Sequence, residues 1–456
     1  MIKKKYIYNY FILFLSLHLI VWTIVPSITN LNLPLDTIEA LAWGSNLEWG
    51  FNKHPPLSAF AAQIFYQIFG NQDWAYYFLS QLFVITAFWF VWTLSKKIFK
   101  DQFYSLLSVF LLEGIYFYNF TTPEFNVNIC QLPFWAMTCY YFWQSLEEDK
   151  IKNWILLGVF AGFGFLSKYL FIYLLISMAI LTIYYAITKK NFSRKYFIST
   201  IFFIILITPH LIWLKDNNYI TVTYALNRTG LDSSDLLSHL FLPIIFLGKQ
   251  IGIITPFLFM VYLLIKKFKT KIKLGDKKLL FLLSITILPI ILITATSLLA
   301  GIKIRTMWMT PFYLFFGTLF LYLFKSQINL KKIKKFYIMF CLLFFLSPVV
   351  YSYVSVTNKY KRTDYPGNEI AYLVQKKWDK NFTNQISIIV GDEWYGGNLS
   401  YHLNSRPKWF NRIKNLDKIN LEGGVIYTGN PTILKKVCPG VYGTIKPIGI
   451  CMIGVR

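Results

Sequence analysis

Residues 33–59 read LPLDTIEALAWGSNLEWGFNKHPPLSA, a polar interruption between long oily segments. Before it, Tyr6 to Val25 is an apolar run of about twenty residues, enough for a helix to cross a bilayer. The interruption gathers Asp36, Glu39, Glu48, Lys53 and His54, and ends on Pro55-Pro56. Asp36 and Glu39 stand three apart, so a helix would carry both carboxylates on one face. Ionisable groups held beside lipid are costly and therefore mark function. The competing reading is a solvated loop whose charges only stay wet.

Working outward, the whole chain has the composition of a polytopic α-helical membrane protein. Of 456 residues, 55% are hydrophobic, 19% aromatic and only 15% charged, against about 25% charged in soluble domains. The net charge of +25 is not a nucleic-acid footprint, because its cations are confined to short clusters between apolar runs. These clusters are Lys3–Lys5, Lys96/Lys97/Lys100, Lys150/Lys152, Lys189/Lys190/Arg194/Lys195, Lys266–Lys278 and Lys325–Lys335. They hold 24 of the 46 Lys and Arg residues and recur at every second loop. That alternation is the positive-inside pattern, with the excess cations meeting anionic membrane lipids.

The pattern predicts about 11 transmembrane helices, near 7–25, 76–95, 103–119, 124–144, 154–168, 170–187, 197–213, 241–265, 279–299, 306–324 and 336–354. The N-terminus is then cytoplasmic and the C-terminus outside. No small-residue cleavage site follows the first run, so it is expected to remain as a helix. Residues 1–357 form the membrane domain, with a first periplasmic loop over 26–75. Residues 358–456 change character: strand-like runs Ile386–Val390 and Val425–Tyr427 alternate with a helix-like run, Asn368–Trp378, between Gly and Pro punctuation. They predict a small C-terminal α/β periplasmic domain. Its Cys438 and Cys451 could form a disulfide or remain reduced, whereas Cys130, Cys139 and Cys341 fall within spans as small apolar residues.

This topology collects unusual polar residues on the outer face. The first loop supplies Asp36, Glu39, Lys53 and His54, and the second supplies Thr122-Pro123-Glu124. Lys168 lies in a short turn. The loop from Leu214 to Leu240 holds Asn217 and Arg228, and the last outer turn holds Lys303, Arg305 and Trp308. Each cation alone is readily read as a side chain snorkelling to headgroups. Together they suit transfer of a group from a phosphate-linked lipid: cations bind the leaving phosphate, and a carboxylate serves the attacking oxygen. No CxxC, HExxH or histidine cluster marks a metal site, and a divalent metal requirement stays open.

The same motifs resemble those of bacterial membrane glycosyltransferases related to protein O-mannosyltransferases and lipid A aminoarabinose transferases. The resemblance runs from Asp36 through Lys53-His54-Pro55-Pro56-Leu57 to Thr122-Pro123-Glu124 and Gly164-Phe-Leu-Ser-Lys168-Tyr169. It continues through Pro209–Arg228 and Gly248-Lys-Gln250 to Arg305-Thr-Met-Trp308-Met-Thr-Pro311. It covers residues 1 to about 325 and implies the C-type glycosyltransferase fold, a polyprenyl-phosphate sugar donor and no nucleic acid. It further implies Asp36 as catalytic carboxylate and Lys53 and Lys168 near the donor phosphate. The family's first acidic pair is commonly Asp-Glu, whereas Thr37 follows Asp36 here, so Glu39 either takes the second place or that role is absent.

The reading is therefore a multi-pass bacterial inner-membrane enzyme that moves a sugar from polyprenyl (undecaprenyl) phosphate to lipid A or another envelope glycan. A protein hydroxyl is the alternative acceptor. From another class, a transporter or flippase of such lipids would place ionisable residues near the bilayer midplane; here they are expected at the outer ends.

Overall fold

An unbroken apolar run leaves a helix as the way to satisfy its backbone in lipid, and the first such run forms α1, Ile7–Thr29. The computed structural model describes residues 6–189, 193–230, 235–267, 275–412 and 423–456. Lys3–Lys5, Lys190 and the centre of the Lys266–Lys278 cluster lie outside these residues. After α1 come two short helices, α2 (Leu35–Gly44) and α3 (Leu57–Phe69), then α4 (Asp73–Phe99) and α5 (Gln102–Phe110). The bundle continues with α6 (Val127–Glu148), α7 (Ile151–Ser167), α8 (Ile172–Lys189), α9 (Tyr196–Asp216) and α10 (Ile220–Thr229). It closes with α11 (Ser238–Leu264), α12 (Lys277–Ala300), α13 (Phe316–Phe324) and α14 (Ile333–Thr357).

Among the described residues, seven helices are long and apolar enough to span a membrane, or eight if a bent pair counts as one span. Each of the eleven expected segments holds helical structure, but not as eleven long spans. The segment expected at 103–119 is α5 followed by two 3-10 turns, Leu111–Gly114 and Tyr116–Tyr118. Its backbone presses on α11 so closely that a Cβ on Gly114 would lie 2.6 Å from the Phe257 Cα. The segment expected at 306–324 opens as a 3-10 turn containing Pro311 and bends by 54° before α13.

A second correction concerns charge. The outer-end rule misses His18 of α1 and Glu113, whose side chains meet at 3.2 Å inside the bundle with 0% and 1% exposure. Glu113 also lends its carbonyl to the Asn119 amide at 2.8 Å. Asn119 in turn accepts from Thr122, so the pair anchors the turn that leads to Glu124.

Beyond α14 the chain forms α15 (Gly367–Asp379), β1 (Ile386–Val390), α16 (Tyr395–His402), β2 (Lys408–Phe410), β3 (Gly424–Gly429), α17 (Pro431–Val437), β4 (Val441–Ile445) and β5 (Ile448–Ile453). The sheet order is β2-β1-β3-β5-β4, with β1 parallel to β2 and β3 and the remaining pairs antiparallel. Cys438 and Cys451 are joined as a disulfide, which resolves the alternative left open by the sequence. Cys130 and Cys139 are buried in the bundle, while Cys341 is exposed.

The sheet domain rests directly on α2. A Cβ on Gly397 would sit 3.0 Å from Ile38 Cγ2 and 3.1 Å from Ala42 Cβ. The Arg406 guanidinium donates to the Leu41 carbonyl at 2.6 Å and lies 4.1 Å over the Tyr66 ring. Asn32 bonds Asn398 at 2.7 Å, and Tyr401 bonds Asp73 at 2.7 Å.

Candidate active site

Helix α2 begins after Pro34, whose extended backbone cannot continue a helix backwards. Its first-turn amides would be orphaned. One of them, Asp36 N–H, donates to Glu124 Oε1 at 3.1 Å, and Thr37 Oγ1 donates to the Phe125 carbonyl at 3.1 Å. The turn carrying Glu124 thus caps the helix carrying Asp36 and Glu39. Thr37, where the resembling family commonly has an acid, is buried in this joint. Negative charge at a helix N-terminus is further favoured by the helix dipole.

One turn on, Glu39 faces the loop that follows α2. Lys53 Nζ donates to Glu39 Oε1 at 2.7 Å and lies 3.4 Å from Glu393 of the sheet domain. Asn52 Nδ2 also donates to Glu393 at 2.8 Å. Glu393 follows Gly391, whose φ of +152° and closeness to Thr428 (a Cβ would come within 1.8 Å of its Oγ1) require glycine. The loop itself is pinned by His210 Nδ1 on the Trp49 carbonyl at 2.6 Å, Thr221 on the Phe51 carbonyl at 2.6 Å and Trp213 on Glu48 at 2.9 Å.

Lys168, expected near the donor phosphate with snorkelling as the competing reading, is 5% exposed. Its amine donates to Asn128 and lies 5.2 Å over the Trp308 ring; burial pulls it down to about 7, opposed by Asp36. Asn128 is placed there because Asn126 caps α6 through the amides of residues 128 and 129. Lys53, His54, Lys168, Arg228 and Trp308 line one cavity of about 380 Å³, whose remaining wall is largely apolar, including Leu170, Ile172 and Ile302. Sequence positions over 250 residues apart thus converge on a cationic pocket with an oily side.

The electrostatics separate the acids. Burial pushes the Asp36 carboxyl up, opposed by the cations of Lys168, Lys53, Arg362 and Arg228. Burial pushes Glu124 to about 8, and the neighbouring Asp36 charge adds to the rise. Four cations act on Asp36, whereas Arg362 is the cation acting on Glu124. Burial thus raises both acids, and the rise is opposed by more cations at Asp36 than at Glu124. Burial raises Glu39 to about 7 in spite of Lys53. For Lys53 burial works the other way but is outweighed by Glu39 and Glu393, which hold the ammonium charged. Burial, with the Lys168 and Lys53 charges, lowers His54 to about 3, so it offers a neutral ring.

Asp36, Glu39 and Glu124 stand behind the cavity wall in the α2 joint, and three further expected residues lie off it. Asn217 bonds the Trp213 carbonyl at 2.9 Å at the end of α9. Lys303 is exposed, and its backbone amide bonds the Thr229 carbonyl at 3.0 Å. Arg305 is partly buried, with an unpartnered Nε, while its neighbours Ile304 and Trp308 do the lining. Two contributors were not foreseen, Glu393 and Arg362, because both arrive from the sheet domain or its entry and nothing in their local sequence signals it. Among the described residues, no three His, Cys, Asp or Glu side chains are grouped to hold a metal ion.

Comparison with known proteins bears out the family resemblance. Residues 53–213 match the profile of the family described as dolichyl-phosphate-mannose-protein mannosyltransferase. Over 134 residues, 28% of the chain, it is 31% identical to an undecaprenyl phosphate-alpha-4-amino-4-deoxy-L-arabinose arabinosyl transferase of Wigglesworthia glossinidia brevipalpis. That match spans 23% of the relative's length. Two crystal structures of ArnT from Cupriavidus metallidurans, one apo and one bound to undecaprenyl phosphate, superpose with TM-score 0.62. Each covers 97% of this chain and 98% of its own, at 11% and 10% identity. At that identity the likeness shows the fold, and this chain has it from end to end.

Proposed function

We propose that this chain, a membrane protein with the fold of the aminoarabinose transferase structures and a mannosyltransferase-type sequence segment, is a glycosyltransferase. It moves a sugar from a polyprenyl-phosphate donor to lipid A or another envelope glycan, at the periplasmic face of a bacterial inner membrane. The observation that carries this reading is the Lys53–Lys168–Arg228 cavity with its apolar wall, whose cations act on the nearby Asp36 carboxyl. An apolar wall suits a prenyl tail, and cations suit its phosphate. The undecaprenyl phosphate in one of the ArnT structures supports the same occupant.

In this mechanism the acceptor oxygen attacks the anomeric carbon as the bond to polyprenyl phosphate breaks, with inversion. Lys168 and Lys53 stabilise the charge growing on the leaving phosphate. Asp36 orients or deprotonates the acceptor and opposes positive charge on the sugar ring. Glu124, neutral, fixes α2 through the Asp36 amide, and Glu39 with Glu393 aims Lys53. A protein hydroxyl is the second acceptor reading, favoured by the family description that matches residues 53–213. Mass spectra of lipid A from a deletion strain and its parent test the first: loss of a sugar increment is expected, and identical spectra would refute lipid A as acceptor.

A further inference from the structure

A second cavity, of about 310 Å³, opens where α14 gives way to the sheet domain, lined by Tyr360, Lys361, Arg362, Asp364, Tyr365 and Trp394. It shares no lining residue with the donor cavity. We propose that it is the acceptor's headgroup site, taking the phosphate of a phosphorylated glycolipid on Arg362 and its sugar against Trp394 and Tyr365. This rests on the glycosyltransferase reading above and adds to it where the second substrate sits and what chemistry selects it.

The charge pattern inside the cavity selects an anion. Lys361 is already engaged, 3.1 Å from Asp364 and bonded to Ser355. Among the described residues Arg362 has no ion-pair partner within 4.0 Å; its guanidinium stacks over the Trp394 ring at 5.9 Å. A planar guanidinium fork fits a phosphate in two contacts, and stacking leaves its edge free to make them. Tyr365 packs on Trp394 at 5.5 Å, and its hydroxyl is buried without a partner. A buried hydroxyl lacking a bond is costly, and a ligand's polar group would satisfy it.

The surroundings select a lipid and a direction. Leading to the cavity, the end of α14 exposes Tyr353, Val356 and then Tyr360 at 68%, 71% and 99%. These form an apolar approach for acyl chains. The turn bearing Arg362 is fixed to the catalytic segment, since the amides of Leu31 and Asn32 both bond the Thr363 carbonyl, at 2.9 and 3.0 Å. Asp36 follows four residues after Asn32. Cations from both cavities act on Asp36, with Lys168, Lys53 and Arg228 from one and Arg362 from the other. Donor and acceptor sites would then flank the reacting carboxylate.

The test is direct binding to the purified full chain in detergent without donor, by calorimetry. The probes are diphosphoryl lipid A, the same lipid with phosphates removed, undecaprenyl phosphate and inorganic phosphate. Arg362→Ala should weaken diphosphoryl lipid A about ten- to a hundredfold and Arg362→Lys less, with undecaprenyl phosphate unchanged. In turnover, Arg362→Ala should raise the acceptor KM and leave the donor KM alone. The assignment is overturned if Arg362→Ala binds lipid A within about threefold of wild type, or weakens undecaprenyl phosphate instead. Displacement of lipid A by inorganic phosphate at equal concentration would make this a free-anion site and also overturn it. Lipid A binding through Arg362 without any sugar transfer would sink the glycosyltransferase reading and keep the site; transfer with an unchanged acceptor KM in Arg362→Ala would do the reverse.

Discussion

Replacing Lys168 with methionine keeps the apolar stem and removes one charge at the centre of the proposed donor site. The wild-type ammonium is 5% exposed, and its side-chain contacts are the Asn128 amide oxygen and the Trp308 ring. Lys168→Met therefore strands one amide oxygen and leaves no buried carboxylate without a bonded partner, so the fold should tolerate it. The loss should fall on the ligand. A charge-assisted contact contributes about 1.5–3 kcal/mol, which predicts a ten- to hundredfold fall in kcat/KM for the donor. Lys168 is also the strongest of the cations holding the Asp36 carboxyl down against burial. Without it the Asp36 carboxyl rises further, and under the proposed role of Asp36 as the anion the acid limb of the pH–rate profile moves to higher pH. The assay is donor-dependent sugar transfer by matched amounts of purified wild type and variant across pH. A kcat/KM within about threefold of wild type together with an unmoved acid limb would refute the assignment.

Further expectations concern pH and topology. Burial holds Glu39 at about 7 and Glu124 at about 8, so the folded chain keeps protons that the unfolded chain releases near about 4.5. Their contribution is full below about 4.5 and is lost progressively until the pH has risen through 7 to 8, so thermal unfolding in detergent should show stability falling from about pH 4.5 to about pH 8 and levelling above it. Glu124→Gln should flatten the fall, and an unchanged slope would contradict the buried neutral acid. For orientation, an alkaline phosphatase fused after Val455 should be active, since the cation clusters alternate in the opposite phase. A silent phosphatase with an active cytoplasmic reporter would invert the topology.

How far the sequence could be read follows from which interactions are local. Asp36 and Glu39 were placed on one helix face by their spacing, and α2 carries both. The strands at 386–390 and 425–427 were legible because β-branched runs lay between turn residues, and β1 and β3 occupy those positions. Breaks within spans escaped the sequence for a different reason: hydropathy reports burial and not continuity. Two apolar runs pass into 3-10 turns, at Leu111–Gly114 and Thr306–Tyr313, that look like helices by composition. His18 and Glu113 escaped notice because each is a single polar residue until the fold brings them together across 95 positions. Lys168 was visible as a cation out of place but not as a buried one, since its burial depends on Asn128 and Trp308 from other elements. Glu393 and Arg362 carried no local signal; their meaning comes from the sheet domain settling on α2.

The central claim is that the Asp36 carboxylate stands at the reacting centre of a sugar transfer. Asp36→Asn keeps its shape and the backbone bond from residue 36 to Glu124 while removing the charge, so the helix should form and the chain should fold. The measurement is sugar transfer from polyprenyl phosphate by purified wild type and Asp36→Asn, with donor in excess and expression matched. The account predicts a loss of about 10²- to 10⁴-fold. Retention of more than about a tenth of wild-type transfer would contradict it.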